Sequence, residues 1–195
     1  MKLLFVLCAP QRPSLGVSIA ETIRDRLEAS GQEVLWHDLY AEDFDPLLDP
    51  GELARGTSLD GLVQAHATAL SEAQGLLILH PDWWGQTPAI LKGWIDRVLR
   101  EGVAYELEGE DGSEKTWKPL LGGKKALVIV TSDSEDPRRE GLLREIWVEA
   151  VLGACGMEVE FIFLGKLRGA GAARRREMMD AAVERAAGLF ALPGR

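Results

Sequence analysis

With 195 residues, 46% of them hydrophobic and 27% charged, the chain has the length and make-up of one folded domain, and wholesale disorder is excluded. At this size roughly 70% of the unfolded surface can be buried, so neither disulfides nor a structural metal is required. Lys and Arg number 22 against 31 Asp and Glu, a formal net charge of −9, which argues against a grip on a nucleic-acid backbone.

The first element is Lys2–Cys8, a near-continuous apolar run that stops at Pro10 and Pro13 and suits a strand buried on both faces. Its single Lys, short apolar run and lack of a small-residue cleavage pattern favour a strand over a signal peptide. No apolar run approaches the ~20 residues of a membrane helix; membrane insertion is not expected, and the expected location is the cytoplasm. Val17–Ala29 spaces Ile19, Ile23 and Leu27 as an amphipathic helix does, with Gly31 as its stop. Glu33–His37 is a second strand, 41–57 an irregular stretch rich in Asp, Pro and Gly, and Ser58–Ala73 a second helix. Gly75–His80 is the third strand; Thr87 is the expected N-cap and Pro88 the first residue of a helix that runs to about Arg100. Val103–Leu121 reads as a long loop or hairpin around a buried Trp117. Lys125–Thr131 is a strand, Pro137–Ala154 a helix, Glu158–Leu164 the fifth strand and Ala172–Ala191 the last helix.

Five strands, each followed by a helix, predict a doubly wound α/β protein: a five-stranded parallel sheet in a three-layer α/β/α sandwich, as one domain over 1–195. Cys8 and Cys155 lie in apolar stretches and form no CxxC pair, so they read as interior thiols without zinc or thioredoxin-like chemistry. From Lys166 onward seven basic residues face three acidic ones, Arg174–Arg176 among them, a pattern of a solvated helix face or of a partner-binding patch.

Ligands of open α/β sheets bind beyond the carboxyl ends of the strands, where strand order reverses. Three segments qualify: Ala9–Gly16, Pro81–Thr87 and Thr131–Pro137. The first has neither GxGxxG nor GxxxxGK[ST], which disfavours a Rossmann dinucleotide and an ATP-type P-loop. It has Ser14 before a helix, as a plain N-cap or as part of a phosphate site at the helix N-terminus. In the second, Trp83 and Trp84 follow a buried strand; they either pack under the next helix or flank a planar ligand. Trp94 reads as core, Asp96 and Arg97 as local partners, and His37, His66 and His80 as structural.

Pro81-Asp-Trp-Trp84, then Pro88-Ala-Ile-Leu-Lys-Gly-Trp-Ile-Asp-Arg-Val98 and Ala104-Tyr105, resemble the NAD(P)H:quinone oxidoreductase family of flavodoxin-like proteins. That family includes mammalian quinone reductases, bacterial modulators of drug activity and ancillary subunits of potassium efflux systems. Asp38-Leu-Tyr40, Phe44-Asp-Pro46 and Cys155-Gly-Met157 extend the resemblance over most of the chain. It implies a flavodoxin-like fold, a homodimer with its site at the subunit interface, and a bound flavin, FAD or FMN; the compact chain, with no obvious added region for adenine, favours FMN and leaves FAD as the alternative. By position it implies flavin phosphate at Ser14, Leu15 and Gly16. The ring would lie against Pro81, Asp82, Trp83, Trp84 and Gly85, with backbone N–H groups on its N5/O4 edge. Thr131, Ser132, Asp133 and Ser134 would face the N1/O2 edge, and Tyr105 would shape the substrate cleft. The implied reaction is ping-pong: NAD(P)H delivers a hydride and leaves, and a quinone or similar planar acceptor then takes its place.

The chain departs from the family pattern at Ala9, where a histidine is usual, at Pro13, where a polar residue is, and at Gly16, where asparagine is. Each lost phosphate donor costs about 1–2 kcal/mol, and Arg12 is the expected compensating charge. Thr131–Ser134 replaces paired glycines, Asp133 would repel a reduced ring unless it turns away, and Glu135–Gly141 offers no counterpart of the family's cleft tyrosine and histidine. Two other readings stay open: a non-catalytic or weakly catalytic ancillary or regulatory subunit of a transporter, with Arg174–Arg176 as its one docking signal, and, on Ala9, Gly16 and Asp133, a member that no longer binds flavin.

Overall fold

The computed structural model describes residues 1–109 and 115–192; part of the expected 103–121 excursion and the end of the basic tail lie outside them. β1 (Lys2–Leu7), β2 (Glu33–Asp38), β3 (Gly75–Pro81), β6 (Lys125–Thr131) and β7 (Glu158–Leu164) form one parallel sheet in the order β2-β1-β3-β6-β7. Strand residues alternate between its faces. Leu3, Phe5 and Leu7 meet α1 (Leu15–Ala29) and α6 (Ala172–Leu189) through Ile19, Ile23, Val183 and Phe190, the C-cap residue of α6. Leu4 and Val6 face the opposite layer, with Leu70 of α3 (Gly61–Glu72), Trp94 of α4 (Ala89–Val98) and Leu143 of α5 (Pro137–Glu145). The three-layer sandwich read from the alternation of elements is therefore the fold, and its strand order is the flavodoxin-like one.

Several element boundaries differ from expectation. α4 begins at Ala89 with Pro88, not Thr87, at the N-cap, and no side chain caps it. Asp60 starts α3, accepting from the N–H groups of Leu62 and Val63. The 137–154 helix is α-helical only to Glu145 and then π-helical over Ile146–Val151, where Trp147 is fully buried. The 103–121 excursion contains an antiparallel hairpin, β4 (Tyr105–Glu108) with β5 (Thr116–Pro119). Its Trp117 is not buried but 49% exposed, stacked 3.7 Å from Tyr105.

The 41–57 stretch carries a short helix, α2 (Pro50–Arg55), and is tied to α4 by Arg97. Arg97 does not bond locally: it donates to Glu52 at 2.6 and 3.1 Å, to Asp60 at 3.2 Å and to the Asp45 carbonyl at 2.6 Å. Gly93 permits this close docking, because a Cβ there would collide with the Pro46 backbone. Both cysteines are buried, and burial pushes the Cys8 thiol up to about 12, so it stays an inert thiol. No helix among the described residues is long and apolar enough to cross a membrane.

Candidate functional site

The chain runs outward from β1 to β2 and returns across the sheet to β3, leaving a crevice at the carboxyl ends of these strands. A cleft of about 330 Å³ opens there, and the loops after β1, β3 and β6 build its walls. Ser14, Leu15 and Gly16 form one wall at the start of α1. Ser14 caps the helix, its Oγ accepting from Val17 N–H at 3.3 Å and its carbonyl from Ser18 N–H at 3.1 Å. That leaves the amides of Leu15 and Gly16, the first two of the helix, open to an anion. A Cβ on Gly16 would sit 3.1 Å from Leu79 Cδ2, so the glycine lets the helix end press against β3.

Pro81, Asp82 and Trp83 make the second wall, Thr131, Ser132 and Asp133 the third. Asp82 knits these two together. Its side chain is only 1% exposed, and its carboxylate accepts from Ser132 Oγ at 2.7 Å, from Gly85 N–H at 2.7 Å and from Arg139 Nη1 at 3.2 and 3.3 Å. Asp82 N–H in turn donates to the Thr131 carbonyl at 2.7 Å, and Trp83 and Gln86 exchange backbone hydrogen bonds at 3.1 Å. Three of the backbone groups expected to meet a ring edge are thus used otherwise: Asp82, Trp83 and Gly85 N–H bond within the loops, and Pro81 has none. Trp84 stands at φ 60, a left-handed conformation, with its indole 91% exposed.

Behind the loop, His80 Nδ1–H donates to the Pro81 carbonyl at 2.8 Å while Nε2 accepts from the Trp147 indole N–H at 2.9 Å. Burial pushes this imidazole down to about 4, so it stays neutral and fixes the start of the loop. His66 repeats the arrangement deeper in the protein, accepting from Trp94 Nε1–H at 2.9 Å through Nδ1 and facing Glu42 at 3.0 Å through Nε2. His37, Glu42 and His66 lie together with metal-like spacing. The indole donor assigns the neutral His66 proton to Nε2, however, and a cation would need that lone pair. This cluster is a hydrogen-bonded pair of imidazoles on one carboxylate.

A family model described as flavodoxin-like fold matches residues 1–189. The chain belongs to the flavodoxin-like family. A Haemophilus influenzae protein named uncharacterized NAD(P)H oxidoreductase is 31% identical over 181 residues, covering 88% of this chain and 87% of its own. The ribosyldihydronicotinamide dehydrogenase [quinone] of Pongo abelii is 30% identical over 151 residues, 67% of this chain and 63% of that longer relative. The fold of the NAD(P)H:quinone oxidoreductase of Methanothermobacter marburgensis superposes with a TM-score of 0.80 at 23% identity, covering 100% of this chain and 99% of that one. The resemblance to NAD(P)H:quinone oxidoreductases read from the 81–105 stretch is borne out by these relatives.

Within this flavodoxin-like chain, nine of the thirteen residues marked in the sequence line the cleft, while Trp84, Gly85 and Ser134 flank it in the same loops without lining it. Tyr105 does not reach it; it lines a separate groove of about 260 Å³ with Leu53, Arg97 and Arg100. Arg12 does not supply the compensating charge, because it is paired with the buried Asp38 carboxylate at the end of β2. Asp133 has an ion-pair partner in Arg168, 3.4 Å away, which answers part of its charge. Arg174–Arg176 are exposed on α6, and Arg174 pairs with Glu177 at 3.1 Å as on an ordinary solvated face. Two residues at the site had no signal in the sequence: Leu167, which lines the cleft and donates its N–H to the Ser132 carbonyl at 3.1 Å, and Arg139, two residues past Pro137 on α5, which reaches the site through Asp82.

Proposed function

We propose that this protein is an FMN-dependent NAD(P)H oxidoreductase that reduces quinones or similar planar acceptors by a ping-pong reaction. The observation that carries the reading is the cleft at the strand-order reversal, where open amides of a helix start adjoin a wall that includes Pro81 and Trp83. The names of the relatives support the same class of chemistry. When bound, the flavin would supply two-electron transfer, accepting a hydride from NAD(P)H and yielding it to the acceptor that follows. The protein supplies position and electrostatics. Leu15 and Gly16 N–H would hold the phosphate against the positive end of α1. Pro81 and Trp83 would bear on the ring, Trp84 N–H and indole would complete its outer edge, and the Thr131 hydroxyl would donate to the opposite edge. The cleft of about 330 Å³ has the room for a compact flavin, and FMN is the form proposed, with FAD as the alternative the uptake measurement below distinguishes.

The working form is a homodimer. Tyr105 on its own groove, and the exposed Trp84, Leu47 and Leu53, are what an interfacial site would leave uncovered in one subunit. The protein is assigned to the cytoplasm.

An absorbance spectrum of the purified protein, before and after anaerobic NADPH or NADH, tests the reading. Flavin bands that bleach on addition support it. Protein that is colourless and takes up neither FMN nor FAD overturns it and favours the flavin-free member. Trp83→Ala is expected to raise the Kd for FMN about tenfold and Trp84→Ala several-fold, in line with about 1–3 kcal/mol per stacked indole. An unchanged Kd in both variants, measured by fluorescence titration, removes this loop from the ring contact.

A further inference from the structure

Arg139 is the third residue of α5, next to the N-terminus of a helix capped by Asp136. A cation there sits at the unfavourable end of the helix dipole, so its position calls for a partner elsewhere. That partner is Asp82. Arg139 Nη1 lies 3.2 Å from Asp82 Oδ2 and 3.3 Å from Oδ1, and the Asp82 side chain, behind the second wall of the cleft, is 1% exposed. Ser132 Oγ and Gly85 N–H also donate to this carboxylate, but both are neutral. The cations at the rim are committed to other acids: Arg168 to Asp133, Arg138 to Asp136 and Lys166 to Glu135. Among the described residues, Arg139 alone balances the buried charge of Asp82 by direct contact.

On the flavin reading above, that balance matters most when the ring gains electrons. A ring against Pro81, Asp82 and Trp83 lies beside the carboxylate, and an uncompensated anion there opposes the negative charge that reduction brings. We propose that Arg139 is a positioning residue of the redox site: through Asp82 it keeps the second wall of the cleft electrically neutral and holds the 82–85 turn, and so sets how tightly reduced flavin is held relative to oxidised flavin. It acts through Asp82 and does not touch the ligand.

The test is the anaerobic midpoint potential of FMN bound to the wild-type protein and to three variants, with the Kd of oxidised FMN measured beside it. In Arg139→Gln the preference for reduced over oxidised FMN is expected to fall about tenfold, which for a two-electron couple is a drop of about 30 mV. Arg139→Lys is expected to recover most of that drop. In the double variant Asp82→Asn/Arg139→Gln the anion and cation leave together, and the potential is expected to return close to the wild-type value. A wild-type potential in Arg139→Gln overturns the proposal. So does a double variant as low as the single one, because a merely structural role would leave it there. If Arg139→Gln does not fold, Arg139→Lys and the double variant still carry the comparison: potentials near wild type in both support it, and a low potential in the double variant overturns it. Wild-type protein that takes up no FMN overturns the flavin reading and this inference with it, an outcome distinct from uptake with an unaltered potential.

Discussion

Arg97→Ala is expected to lower the unfolding free energy by about 3–5 kcal/mol, the cost of breaking a buried ion pair from one side. The Arg97 side chain is 4% exposed and Glu52 8%, and the guanidinium grips Glu52 through two nitrogens. Glu52 owes its lowered pKa first to the Arg97 hydrogen bonds, with Ser58 adding a further donor. Without Arg97 the carboxylate either stays buried with Ser58 alone or draws the 41–60 stretch into water to be solvated. The same stretch loses its Asp45 and Asp60 contacts, and its leucines, 75% exposed at Leu47 and 70% at Leu53, already gain little from burial. At about 2–4 °C per kcal/mol for a chain of this size, the melting temperature falls by on the order of 10 °C. Thermal melts measure the loss, and limited proteolysis locates it: new cleavage is expected within 41–60. A loss below about 1 kcal/mol would mean that water already screens the pair. Replacing both partners, as Arg97→Met/Glu52→Leu, is expected to cost less than Arg97→Ala, since no lone charge remains buried.

The second large effect is on acid stability. His80 and His66 are both fully buried and accept from an indole N–H. Burial holds His80 down to about 4, and burial with the neighbouring His37 holds His66 down to about 3, against an ordinary value of 6.5. The unfolded chain therefore takes up protons below pH 6.5 that the folded chain refuses. The stability these groups contribute is fully present above pH 6.5 and is lost as the pH falls toward 4 and then 3. Each can contribute a slope approaching about 1.4 kcal/mol per pH unit in that window, or about 3 kcal/mol in all for His80. Urea unfolding at pH 7.5, 6.0 and 5.0 reads this directly. His80→Gln is expected to be less stable at pH 7.5 but to show a shallower decline; an equal slope in the variant would place the acid sensitivity elsewhere.

These two effects also mark where the sequence was legible and where it was not. The strands of the sheet could be read because β-branched and leucine-rich runs bounded by proline and glycine are local signals, and their alternation with helices restricts the topology. The site was legible as three loops for the same reason: strand order places the carboxyl ends of β1 and β3 together, whatever the side chains. Boundaries failed where a contact from elsewhere overrode local preference. The π-helical turn at Ile146–Val151 brings Trp147 to His80, a partner 67 residues away. Trp117 read as buried because an indole in a loop normally is, yet it lies on a hairpin whose stacking partner, Tyr105, leaves one face open.

By itself, then, the sequence determined the α/β class, the five parallel strands, the segments that meet at the cleft and the family to which the chain belongs. These follow from periodicity, punctuation and short motifs, all carried by neighbouring residues. Tertiary structure alone decided which side chains complete the site and which hold it up. Arg139 reaches Asp82 across 57 residues and Arg97 reaches Glu52 across 45, while Arg12 turns from the cleft to Asp38. A buried charge must take whatever opposite charge the fold delivers, and that delivery is fixed by three-dimensional packing, not by spacing along the chain.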